Sequence, residues 1–128
     1  MKNSNRVFIL FFFIYSNIVA QSTWKWAKGI GGGGEDRAND IAFDSFGNSY
    51  TVGYFGSGIA FDTHSLAPVD GYDFFLVKKD FNGNTTWAVS GGGINNEYAT
   101  SVAVSSNASN GSVTPIITNG TPPFHLSL

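Results

Sequence analysis

At 128 residues, with seven basic against nine acidic side chains, the chain offers no basic patch to hold a nucleic-acid backbone or an anionic membrane. It has no cysteine, so no disulfide supports the fold. Charged residues make up 12% of the chain, about half of ordinary usage, beside 16 glycines and 16% aromatics; that composition favours short strands buried on both faces and joined by tight turns.

The chain opens with Lys2 and Arg6, then the apolar run 7–15 (VFILFFFIY), then Ile18-Val19-Ala20. A positive start, an apolar stretch and a cleavage-compatible end read as a secretory signal peptide over 1–20. The run is about half the roughly 20 residues that span a bilayer, and no cysteine follows it to carry a lipid anchor. An uncleaved anchor is the minor reading. Cleavage would leave a mature chain of 108 residues from Gln21, with five basic and nine acidic side chains, a formal charge of −4.

Residues 22–28 (STWKWAK) alternate Trp24, Trp26 and Lys28 against smaller partners and predict a short strand. The glycine run 29–34 breaks regular structure, and Glu35-Asp36-Arg37 reads as a solvated loop. Residues 38–54 (ANDIAFDSFGNSYTVGY) form the organising hairpin. Ile41 and Phe43 alternate with Asp40, Ala42 and Asp44; Tyr50, Val52 and Tyr54 alternate with Ser49, Thr51 and Gly53, which predicts one bulky and one small face. Its turn, 44–48, supplies Gly47 where a positive φ is needed, and the same punctuation returns at 80–84. A short strand is expected at 59–61, a turn-rich connection at 62–71, and a strand at 72–79, with Phe74 and Leu76 on one face and Phe75 and Val77 on the other. Residues 85–90 return as its partner, 91–93 break the chain, and 98–104 (YATSVAV) form a further alternating strand. The fold class is all-β.

The chain repeats itself at an offset of 61. Trp26-Ala27 matches Trp87-Ala88, Gly31-Gly32 matches Gly92-Gly93, Asp36 matches Glu97, Ala38 matches Ala99, and Ile41-Ala42-Phe43 matches Val102-Ala103-Val104. This pattern, with 40–54 and the companion stretch Asp73 to Asp80, Gly83-Asn84 and Trp87, resembles the SBBP-type bacterial beta-propeller repeat over Trp24 to Val104. The resemblance implies four-stranded antiparallel blades over residues 21–104 and no activity, because the repeat carries no catalytic residues. In the second copy the turn residues become Ser105-Ser106-Asn107-Ala108-Ser109. The tail 105–128 (with NGSVTPIITNGTPPF) resembles the start of an adhesin-type surface repeat, a second domain. About one and a half repeats are too few to close a ring of roughly four to eight blades. Phe74, Leu76, Phe75 and Val77 are therefore not expected to be covered together without other blades. The chain reads as a broken piece of a longer surface protein, or as one that associates with copies of itself.

Candidate chemistry is sparse. Asp44 with Asn48 and Asp80 with Asn84 could offer oxygens to calcium, although turn preference alone explains them. No Lys-Ser/Thr pair follows the glycine run 29–34, so a loop outranks a phosphate cradle. His64 and His125 have no neighbours at metal spacing. No catalytic, metal or cofactor residue is predicted. Trp24, which has no counterpart in the repeat, is the candidate ligand-binding residue; Trp26 and Trp87 occupy equivalent positions and read as blade packing. The expected function is a non-enzymatic exported scaffold or adhesion segment at the cell surface, its partners other propeller blades. The alternative is a glycan-binding β-module using Trp24 and nearby tyrosines.

Overall fold

The computed structural model describes residues 23–105, 113–118 and 125–127; the signal peptide expected over 1–20 and the altered turn residues 106–109 lie outside them. Among the described residues every regular element is a strand: β1 (Asp36–Phe43), β2 (Ser49–Phe55), β3 (Ile59–Phe61), β4 (His64–Leu66), β5 (Asp73–Lys79), β6 (Thr85–Gly92), β7 (Tyr98–Val104), β8 (Val113–Thr118) and β9 (His125–Ser127). The main antiparallel sheet runs β1-β2-β5-β6-β9, while β3-β4 and β7-β8 are separate hairpins, and no barrel closes among these strands. The first four strands of the sheet make one blade. β7 and β8 begin a second, so the architecture is an incomplete propeller.

Both long hairpins of the blade are set by the same turn. Asp44 N–H donates to the Asn48 carbonyl at 3.0 Å and Gly47 N–H to the Asp44 carbonyl at 3.1 Å, with Gly47 at φ +81°. Asp80, Asn84 and Gly83 repeat this at 2.9 Å and 2.9 Å, with Gly83 at φ +83°. A type I turn closed by a left-handed glycine matches the twist of the strands it joins. The first turn places Phe43 opposite Ser49, which puts Ala42 opposite Tyr50 and Asp40 opposite Val52. Cross-strand partners share a face, so the expected bulky face does not exist. Tyr50 and Val52 lie with the small residues of β1, and Ile41 and Phe43 lie on the opposite side, 49% and 63% exposed.

Both faces of β5 are nonetheless covered within this chain: Phe74, Phe75, Leu76 and Val77 are only 2–7% exposed. On one face Tyr50, Val52, Phe74, Leu76 and Val89 pack against Ala99 and Val102 of β7. On the other, Phe55, Phe75, Val77 and Ala88 pack against Ile59, Phe61 and Leu66 of the β3–β4 hairpin. Its first strand is the one expected at 59–61, and its second, β4, grows from the connection read as turns alone. The hairpin does the work assigned above to a neighbouring blade.

Other boundaries move for local reasons. Residues 23–28 are not a strand. Their counterpart β6 takes its ladder from β5, whereas no described strand lies beside 23–28. Asp36 and Arg37, read as loop, start β1 opposite Phe55 and Tyr54. Gly91 and Gly92 extend β6 instead of breaking it: Gly91 pairs with Phe74, and a Cβ on Gly92 would lie 2.1 Å from the Asp73 carboxyl. β9 adds to the far edge of β6 over Ser90–Gly92.

The second copy keeps more of the pattern than its altered turn suggests. β8 pairs with β7 as β2 pairs with β1, and the ladders slip at equivalent places, between Ala38 and Asp40 and between Ala99 and Ser101. Opposite the first of these bulges sits Gly53, where a Cβ would lie 1.8 Å from the Arg37 carbonyl oxygen. Gly53→Ala is therefore expected to lower the stability by about 3 kcal/mol or to prevent folding. Gly29→Ala, with nothing within 4 Å of the new methyl, should stay within about 0.5 kcal/mol of the parent when both variants are compared with it by urea titration.

Candidate functional site

The most organised polar surface lies where β7 meets the first blade. Asp40, on the small side of β1, accepts hydrogen bonds from Ser101 Oγ at 2.8 Å and Val102 N–H at 2.9 Å. Beside it Asn39 Nδ2 donates to the Ala99 carbonyl at 2.8 Å. Donor and acceptor stand one repeat apart, since Ser101 occupies in the second copy the position that Asp40 occupies in the first. The Val102 N–H first, then the Ser101 hydroxyl and the Ile41 N–H, hold the Asp40 carboxyl below its ordinary value. The first aspartate of the repeat is thus a clamp between successive blades.

The glycine and acid positions of the repeat act as a second pair. Gly32 N–H donates to Asp36 Oδ2, and 61 residues on Gly93 N–H donates to Glu97 Oε2 at 2.9 Å. Glu97 is fully buried, and its N–H bonds the Tyr72 carbonyl at 2.7 Å. Close by, the Tyr54 and Tyr72 hydroxyls donate to the two oxygens of Glu35 at 2.8 and 3.3 Å. The rings of Tyr54, Tyr72 and Tyr98 pack on one another at 4.7–6.1 Å, leaving no cage between them. Glu35 raises both hydroxyl pKa values, chiefly through its hydrogen bond at Tyr54 and its charge at Tyr72.

A cleft of about 260 Å³ opens between β1 and β3, floored by Ile59, Phe61, Phe75 and Val77 and edged by Lys28, Arg37 and Lys79. Two of these cations share one carboxylate. Asp62 takes Lys28 at 2.9 Å and stands 3.6 Å from Lys79, while accepting Thr85 N–H at 2.8 Å. Its position is set by a left-handed backbone, φ +55°, which aspartate tolerates better than most residues. Hydrogen bonds from Thr85 and Lys28 hold its carboxyl well below the usual range.

The residues singled out in the sequence separate accordingly. Trp24 is 91% exposed. Trp26 rests on Gly83, whereas Trp87, its repeat counterpart, packs on Tyr50 with ring centroids 6.1 Å apart. Trp87 is therefore part of the blade core and Trp26 is not. Asp44 turns its oxygens inward, accepting from the N–H groups of Phe46 and Asn48, Asn48 Nδ2 and the Tyr50 hydroxyl at 2.8–3.1 Å. Asp80 does the same with Asn82 and Asn84 at 2.8–3.2 Å. These are turn contacts. His64 sits in β4 and His125 in β9, on different sheets. Among the described residues no three His, Asp or Glu groups gather at a spacing that could hold a metal ion. The clamp at Asp40 and the bridge at Glu35 escaped the sequence reading. A signal for the first was present, a carboxylate on a face of small residues one repeat before a serine.

Residues 25–54 match the family model described as SBBP, beta-propeller repeat. No curated protein and no solved structure matches the chain.

The carboxylates give the fold an acid limb. In Asp40 and Asp80 backbone N–H groups lead in lowering the pKa; in Asp44 burial raises it but the turn hydrogen bonds outweigh that. Groups depressed below 3.8 contribute stability that is full above that value and is lost as pH falls through their folded values. Asp73, pushed up by burial, works in the opposite sense. The urea midpoint is expected to fall between about pH 5 and pH 2.5, and Asp62→Asn, tolerated at this backbone, should make that fall shallower. A midpoint flat across this range would contradict these contacts.

Proposed function

We propose, from the premise that this is an SBBP-type beta-propeller repeat protein, that it is a non-enzymatic exported scaffold or adhesion segment acting at the cell surface. The observation that carries the reading is the use of the repeat's polar side chains. Asp40 joins one repeat to the next, Asp44 and Asp80 close turns, and Asp36 and Glu97 tie down glycine loops. Side chains committed to holding strands are a scaffold's investment, because a catalytic group must reach a substrate atom. Export rests on the charged start, apolar run and Ala20 of the first twenty residues. The partners are further blades, which the open sides of β1 and β8 suit.

A second reading is favoured by one observation, the exposure of Trp24. An indole standing free of the blade core offers a face on which the apolar side of a sugar could stack.

Expression in a bacterial host with a tag at the C-terminus tests the first reading. The chain is expected in the envelope or medium with Gln21 as its N-terminus; an intracellular chain retaining Met1 would overturn export. Binding to immobilised glycans that falls at least about tenfold on Trp24→Ala, with the fold unchanged, would establish the second reading instead.

A further inference from the structure

Among the described residues one contact between successive repeats is complete, and each half of that same contact is open once. In the complete contact, Val102 and Val104 of β7 lie against Tyr50, Val52 and their neighbours on the first blade. The offset of 61 makes Ile41 and Phe43 of β1 the counterparts of Val102 and Val104. Where Val102 is buried, Ile41 and Phe43 are 49% and 63% exposed. At the other end the ladders make Ile116 the counterpart of Val52, because Ser101 pairs with Ile116 as Asp40 pairs with Val52. Val52 is fully buried and Ile116 is 56% exposed, next to exposed Ala103 and Thr114. One uncovered strip is what β7 presents to the first blade. The other has the type of residue that receives it.

We infer that a second copy of this chain docks head to tail, the β1 strip of Ile41 and Phe43 on one copy seated against the β7–β8 strip of Ala103, Thr114 and Ile116 on the next. The inference rests on the propeller-repeat reading above and adds the partner and the residues to it. Neither strip carries a charge, so two copies of a net acidic chain can approach there without setting like charges against each other. A contact between unlike surfaces is heterologous and closes into a ring or runs on as a filament. It is weaker than the internal one for a definite reason. The receiving strip has two strands instead of four, and where Asp40 clamps the internal contact the second copy has Ser101, which is already committed to Asp40. Association should therefore depend on concentration.

Two variants separate the possibilities, because all three substituted side chains face solvent. Ile41→Glu/Phe43→Glu removes the head and Ile116→Glu removes the tail; serine replaces glutamate wherever circular dichroism shows a lost fold. Sedimentation equilibrium of the purified full chain should give a mass that rises over about 10 µM to 1 mM, the range in which weak contacts populate. Each variant alone should stay monomeric, and an equimolar mixture should stop at a one-to-one dimer. A monomeric parent chain throughout the range would overturn the inference. So would a dimer of Ile116→Glu alone, which would mean head meets head, or a mixture that remains monomeric. None of these results bears on export or on glycan binding, so failure here leaves the proposed function to its own tests.

Discussion

The contact on which the rest depends is the Asp40 carboxylate reaching one repeat ahead to the Ser101 hydroxyl and the Val102 amide. A sheet with an apolar face must bury it, and the face built by Tyr50, Val52, Phe74, Leu76 and Val89 is buried by β7. Apolar packing is non-directional and would tolerate a slipped or tilted hairpin. The two hydrogen bonds to Asp40, with Asn39 holding the Ala99 carbonyl, fix where β7 lies. The β-bulges at Ala38 and Ala99 belong to this arrangement, because each shifts its strand at the point where the repeats exchange hydrogen bonds. Polar residues of the repeat thus set geometry, and apolar residues supply the driving force.

How both faces of the blade are covered among the described residues follows from the β3–β4 hairpin. Repeats ordinarily bury one another, and three or more are usually required. Here Ile59, Phe61 and Leu66 cover Phe75 and Val77 from within the same blade, and the segment around Trp26 and Lys28 ties across to Gly83 and Asp62. On the strands the exposed large apolar residues are Ile41 and Phe43 at one end and Ile116 at the other, the sides where a neighbouring repeat would continue the stack; the rest, such as Phe46, Val69 and Ile94, lie in turns and loops. Local cover and repeat stacking divide the apolar surface between them.

Much of this was legible in the residues, for reasons that can be named. A glycine after aspartate in a five-residue turn constrains the backbone whatever surrounds it, so both turns were readable at Gly47 and Gly83. The alternation in β5 and β7 set those strands within a residue or so of their ends. Register was not readable from alternation alone, because each strand's pattern says which residues share a face but not which partner face they join. Ladder partners were also hidden: 23–28 has a strand's pattern but no described strand beside it, while Gly91 and Gly92 lack the pattern yet extend β6 beside Asp73 and Phe74. The clamp at Asp40 joins residues 61 and 62 apart, so only the repeat itself could have pointed to it.

Native-state hydrogen exchange at single amides tests the central claim most directly, since it reads whether the second repeat is held by the first. If the Asp40 clamp and the packing beneath it make one cooperative unit, the Val102 amide should exchange with the same opening free energy as Leu76 and Val52 in the blade core. Asp40→Ala should then release Val102 before the core amides. A Val102 amide that exchanges freely in the parent chain while Leu76 stays protected would contradict the account, because β7 would then not be docked on the blade.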